Sequence, residues 1–268
     1  MYASVKFIIK EHIKNVYRII SIAKYEIISA NRDSNLGMLW SILNPLIYIL
    51  TYWFVFGMGI RNNKPVDGIP YLHWMLAGLI VWFYMSSCIR KGTNAIQSKI
   101  TILEKIKFPV SILPTTVVVA EVMEHVIMIV LLYVFLLTQG FKPDIGNLQL
   151  IYYLLCSLAF CIAFGMVFSV LSILVKDIKK IIPSALRILM YLTPILWTTE
   201  NLPSWAQLIM KCNPIYYIVD GYRRSLFSVY GYTIDISSTI TFWLITIGLF
   251  IVGCTLMHKY RYKFIDIG

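Results

Sequence analysis

Leu36-Gly37-Met38-Leu39-Trp40-Ser41-Ile42-Leu43-Asn44-Pro45-Leu46 is the stretch where a basic amphipathic segment turns into a run able to cross a membrane. Upstream, over residues 5–28, Ile9, Ile13, Val16, Ile20, Ala23 and Ile27 recur three or four apart, while Lys10, Lys14, Arg18 and Ser21 line another face. That is the pattern of a helix lying in an interface with its cations toward anionic headgroups. Downstream, no side chain from Met38 to Ile60 carries a charge. A helix of that length rises about 30 Å or a little more, enough to cross the hydrocarbon.

The rest of the chain repeats this theme. Of its 268 residues 59% are hydrophobic and only 14% charged, too apolar for a surface that water must solvate. The apolar residues fall in blocks of spanning length separated by short polar turns, which predicts helices. An open sheet edge would leave backbone groups unpaired in lipid, and a barrel would show alternation. The net charge of +11 comes from cations at the ends of the apolar blocks, not from a soluble module with base-stacking aromatics, so nucleic acid is not an expected partner. Cys88, Cys156, Cys161, Cys212 and Cys254 have no metal-ligand spacing and read as packing residues. The amino-terminal cations are spread along an amphipathic segment with no small-residue cleavage site, unlike a removable signal peptide.

In order, spans are expected over residues 38–60, 71–89, from Pro114 to about Leu137, over 148–175, from Ile181 onward, and over 236–257. Lys64-Pro65 and Asp67-Gly68 make the first return a tight turn. Residues 93–108 are too short and too charged to span: Ile96, Ile100 and Leu103 share a stripe ringed by Lys99, Glu104, Lys105 and Lys107, which predicts an interfacial helix. The fifth span is irregular. Pro183, Pro194, Pro203 and Pro214 forbid one straight helix, so residues 197–226 are expected as broken pieces dipping into the membrane, with Asn213-Pro214 at the break.

The expected fold is thus an all-α integral membrane protein with six transmembrane helices in a single domain. Residues 1–37 form the interfacial helix, 38–258 the bundle and 259–268 a basic tail. Eighteen Lys and Arg residues fall on the side of the termini and six on the other, which predicts cytoplasmic termini.

Chemistry is sparse. No phosphate-binding loop, nucleophile elbow or paired-histidine helix occurs, so any ATP must be bound by another chain. Glu121, Glu124 and His125 stand out because charge within a span is costly and positions 121 and 125 share a helix face. A proton relay or pathway lining competes there with hydrogen bonding inside the bundle. Tyr48 and Tyr52, one turn apart beside Trp53, suit either passage of sugars or polyols or ordinary packing. For Arg32, Arg223 and Arg224 an anion contact competes with headgroup anchoring. Residues 93–108 suit either a surface anchor or docking in a partner.

The motif Leu36-Gly37-x-Leu39-Trp40-x-x-Leu43-x-Pro45-Leu46 resembles the signature of type-2 ABC exporter permeases for polysaccharides and teichoic acids. The amphipathic amino terminus, the segment after the second span, the charged turn at Lys176-Asp177 and Asn213-Pro214 ahead of Tyr222-Arg223 extend the likeness over the whole chain, closest to the permeases that translocate wall teichoic acid. Lys176-Asp177 departs from the Arg-Asp of many relatives. The resemblance implies a half-transporter in the bacterial plasma membrane, with two copies of itself and two copies of a nucleotide-binding subunit that holds ATP and Mg. Ile100, Leu103, Glu104, Lys105 and Lys107 would couple it to that subunit. Tyr48, Tyr52, Phe56 and Tyr191 would line a pathway between the first and fifth spans of the two copies, and the segment after Pro194 would form the outer gate. The implied cargo is an undecaprenyl-diphosphate-linked wall teichoic acid, or alternatively O-antigen or capsular polysaccharide. An ion-coupled carrier built on Glu121, Glu124 and His125 is the competing class.

Overall fold

Lipid offers backbone groups no partner, so a chain this apolar satisfies them along its own axis. The computed structural model describes residues 1–30, 35–60, 64–100, 108–200, 202–227 and 235–261, and among them the regular structure is helical, with one isolated bridge between Val66 and Ile69. That bridge closes the expected tight turn: Asp67 and Gly68 both take positive φ, 49° and 80°.

The amino-terminal segment is two helices, α1 (Tyr2–Lys14) and α2 (Val16–Ala30), where the sequence predicts one. Asn15 separates them. Its side-chain amide donates to the Glu11 carbonyl at 2.7 Å and its Oδ1 accepts from Arg18, the local competition with helix that asparagine brings. The predicted apolar face is also not the one turned to the protein. Ile9, Ile13, Val16 and Ile20 are exposed, whereas Ser4, Ile8, Asn15, Ile19 and Ala23 are buried.

Among the described residues, five helical stretches are long and apolar enough to cross a membrane: Ile42–Gly59, Tyr71–Thr93, Val110–Thr138, Ile145–Leu174 and Ile236–Tyr260. The first comprises α3 (Trp40–Tyr52), continued by a π-helical stretch, Trp53–Ile60. The others contain α4 (Tyr71–Thr93), α5 (Leu113–Thr138), α6 (Gln149–Leu174) and α10 (Ile236–Tyr260). The expected fifth span is shorter. Helix α7 (Ile178–Leu192) has 15 residues, about 22 Å of rise against the roughly 30 Å a bilayer core demands. It stops at Thr193, before Pro194, and the chain continues as α8 (Ser204–Lys211) and α9 (Pro214–Leu226). Asn213 caps α9, its side chain accepting from the Ile215 amide at 2.9 Å, so the predicted break is there.

Helix α4 is the hub. It packs on α5, α6 and α9, and 78% of its apolar window is buried, against 11% for the window running through α3. Glycine permits its closest crossing, since a Cβ on Gly92 would sit 3.4 Å from the Gly165 Cα of α6. Cys88, Cys156, Cys161 and Cys254 are buried and Cys212 is exposed, all as free thiols.

At the end of the bundle that bears α1 and α2, called basal below, polar contacts dock these helices. Ser111 donates to Glu11, Lys99 pairs with Glu26, and Ser4 bonds His258 at 3.0 Å. His12 reaches the Ile8 carbonyl through Nδ1 and Thr115 Oγ1 through Nε2, both at 2.9 Å.

Burial holds the His12 pKa below its ordinary 6.5, against the opposing pull of the Ile8 carbonyl and of Glu11. The docked state therefore favours neutral imidazole. Docking is at full strength above the undocked pKa and weakens as pH falls through about 6.5 toward the lowered value. Amide exchange across α1, corrected for intrinsic rate, should accelerate between about pH 7 and pH 5.5, and His12→Gln should remove that step.

Candidate functional site

Helices α3, α4 and α5 line an open cavity of about 260 Å³ in the basal half of the bundle. Helical spacing builds each wall. Ile80, Phe83, Tyr84, Ser87 and Lys91 share one face of α4, each three or four residues from another of the set, as do Glu121, Glu124, His125 and Met128 on α5. Trp40, Asn44 and Pro45 of the opening motif close the third side.

The three polar residues expected on one face of α5 are together, and each has its own surroundings. Glu121 is 9% exposed and ion-paired to Lys91 across the α4–α5 boundary. His125 is buried, its Nε2 3.0 Å from the Tyr222 hydroxyl of α9 and its ring stacked on Tyr84 with centroids 4.3 Å apart. Glu124 is half-buried and lines the cavity. Sequence reasoning missed Lys91 as the partner of Glu121, having read it as an end-of-span cation. Its position one turn beyond Ser87, on the face that carries Tyr84, is the signal that it points inward.

The aromatic residues expected along a pathway lie on the outer surfaces of α3 and α7. Tyr48 and Tyr191 are 56% and 57% exposed, and the Tyr48 ring sits 5.9 Å from Phe83. Tyr52 stacks obliquely on Phe56 at 6.3 Å and donates to the Met190 sulfur at 3.3 Å, which joins α3 to α7. Of the expected coupling residues, Ile100 is half-buried at the end of a short 3₁₀ turn, Gln97–Lys99. Leu103, Glu104, Lys105 and Lys107 lie outside the described residues, as does Arg32.

The two adjacent arginines part company. Arg223 is 3% exposed, not at a headgroup surface. Its guanidinium donates to the carbonyls of Pro194 at 2.8 Å, Ile195 at 2.6 Å and Trp74 at 3.3 Å, and its Cζ stands 3.4 Å over the Trp74 ring. Tyr71 donates to the next carbonyl, Leu196, at 2.9 Å. Proline ends α7, and the carbonyls it leaves are collected by α4 and α9. Arg224 is half-buried and bonds Asp220 one turn back at 2.7 Å, beside a hollow of about 100 Å³ that Tyr153, Tyr217 and Lys211 also line. Among the described residues no group of three or more His, Cys, Asp or Glu is placed to hold a metal ion.

Apolar helices of spanning length around a polar cavity, with amphipathic helices docked at one end, define a multi-pass helical membrane protein. The chain belongs to the ABC-2 type transporter family, which it matches over residues 17–227. It is 28% identical over 207 residues to the O-antigen export system permease protein RfbA of Myxococcus xanthus, covering 76% of this chain and 78% of that one. To the protein of the same name from Klebsiella pneumoniae it is 26% identical over 238 residues, 88% and 89% of the two chains. To the polysialic acid transport protein KpsM of Escherichia coli it is 25% identical over 222 residues, 80% and 84%.

Gly78 leaves the space that Arg223 fills, since a Cβ there would fall 2.5 Å from Nη2. Gly78→Ala should cost about 1–3 kcal/mol in thermal unfolding and expose residues 193–203 to protease. Arg223→Met strands the carbonyls of Pro194 and Ile195 and should cost about 1–3 kcal/mol for each. The double variant should cost less than the sum, because the steric conflict disappears with the guanidinium.

Proposed function

We propose that this chain is the membrane half of an ATP-driven exporter that moves a lipid-linked polysaccharide, of the O-antigen or capsular kind, from the cytoplasmic to the outer face of the bacterial plasma membrane. The observation that carries the reading is the match to O-antigen export permeases over nearly nine-tenths of both chains. The expected wall teichoic acid yields to the alternative cargo, because the named relatives export O-antigen or transport polysialic acid.

In this reading α7 enters from the cytoplasmic side, turns at Pro194, and α8 and α9 fill the outer leaflet, so that α10 returns as the sixth crossing and both termini are cytoplasmic. A second copy covers α3 and α7, whose Leu46, Ile47, Leu50 and Ile188 are apolar groups that this chain by itself leaves exposed. Tyr48, Tyr52, Phe56 and Tyr191 then face the passage between copies. ATP and Mg sit on two nucleotide-binding subunits that receive residues 93–108. Both feet of that segment are tied to the amino-terminal helices, Lys99 through Glu26 and Ser111 and Thr115 through Glu11 and His12, which supports a coupling role.

Co-expression with a candidate nucleotide-binding subunit tests the proposal. The two should co-purify, and in vesicles the pair should move polymer only with ATP, whereas movement by the lone chain would overturn the reading. Glu104→Lys or Lys105→Glu should leave membrane insertion and ATP hydrolysis in place while export falls at least tenfold, about 1.4 kcal/mol of lost coupling.

A further inference from the structure

We propose that the cavity between α3, α4 and α5 is a binding site for a single hydroxyl-rich ring, a sugar or cyclic polyol, presented at the basal membrane interface. The proposal rests on the export reading for the source of that ring and on the cavity alone for its chemistry.

Size comes first. A volume of about 260 Å³ holds roughly eight waters at ~30 Å³ each, room for one six-membered ring with its hydroxyls but not for a polymer passing through. Depth agrees. Trp40 opens α3 and Lys91 lies in the last turn of α4, so the cavity begins where the lipid headgroups begin.

The lining then selects among ligands. Trp40 and Phe83 offer ring surface, while Asn44, Ser87 and Glu124 offer amide, hydroxyl and carboxylate groups between them. A sugar presents C–H faces for the rings and hydroxyls that both donate and accept, so it replaces the bonds of the water it displaces. An acyl chain replaces none of them and would strand the Lys91–Glu121 pair and the Asn44 amide. A phosphate meets two carboxylates, Glu121 and Glu124, against one ammonium, Lys91, which is already engaged. Glu124 needs no vacancy to take part, since an ionised carboxylate has about four acceptor positions.

The full-length chain in phosphatidylglycerol–phosphatidylcholine nanodiscs, without any ATPase, tests this with a dodecyl glucoside carrying a diazirine on the sugar. Photolabel should map to peptides containing Trp40 to Asn44, Phe83 to Lys91 and Glu121 to Met128. Unlabelled dodecyl glucoside should compete at least tenfold better than dodecyl phosphate or dodecylammonium. Asn44→Leu and Ser87→Ala should each lower cavity labelling about tenfold, the loss of one well-placed polar contact, while labelling of lipid-facing peptides and the thermal midpoint stay as before. Label scattered over lipid-facing peptides, better competition by the ammonium, or cavity labelling indifferent to both substitutions would overturn the proposal. Cavity labelling that persists while ATP-dependent export fails supports the site and removes the exporter reading instead.

Discussion

A backbone that breaks inside a buried, apolar bundle leaves carbonyls that only the protein itself can bond, and Pro194 makes such a break here. The remedy is concentrated in a few side chains. Arg223 takes the Pro194 and Ile195 carbonyls, Tyr71 takes that of Leu196, and Trp197 donates its indole N–H back to the Tyr191 carbonyl at 2.8 Å. A lone guanidinium at this depth would be costly, but it meets the carbonyl end of α7, where the helix dipole is negative, and the face of Trp74. Arginine suits the task better than lysine, since its planar fork reaches three carbonyls from two separate segments at fixed angles. Helices α4, α7 and α9 are thereby fastened at one point, and Gly78 is the vacancy that lets the fork lie flat.

The basal end is held by different means. Helices α1 and α2 present two working faces. One is apolar and turned away from the protein, Ile9, Ile13, Val16 and Ile20. The other is narrow, built from Ser4, Ile8, Glu11, His12, Asn15, Ile19, Ala23 and Glu26, and meets α5, α10 and the turn at Lys99. An interfacial helix that also docks on protein needs both, because membrane affinity comes from apolar area while register on a neighbour comes from directional bonds.

Much of this was legible in the sequence where local chemistry decides. Asp67-Gly68 forces a turn, Asn213-Pro214 caps and starts a helix, and uncharged runs of twenty residues become spans. The shared face of Glu121 and His125 followed from spacing alone. What escaped depended on tertiary context. Nothing near Arg223 says that Pro194 folds back beneath it, so its surface role was a default for any arginine near a span end. The docking face of α1 and α2 is less apolar than the exposed face, so the apolar periodicity that marks the exposed one gives no sign of it.

The contrast between the two ends of α4 has a mechanical consequence. Lys99 follows the end of α4 and Ser111 and Thr115 precede or open α5, so displacement of the segment between them acts first on the spacing of those two helices. That spacing is bridged by Lys91–Glu121, a pair with one half-exposed partner, and such pairs contribute about 0–1 kcal/mol. At the far end of α4, Trp74 and Gly78 sit against a guanidinium serving three carbonyls, where each bond to a charged donor is worth about 1.5–3 kcal/mol. In the proposed coupling, a push at the basal end would therefore meet the weaker of these two polar links first, with the Arg223 cluster holding the far end of α4.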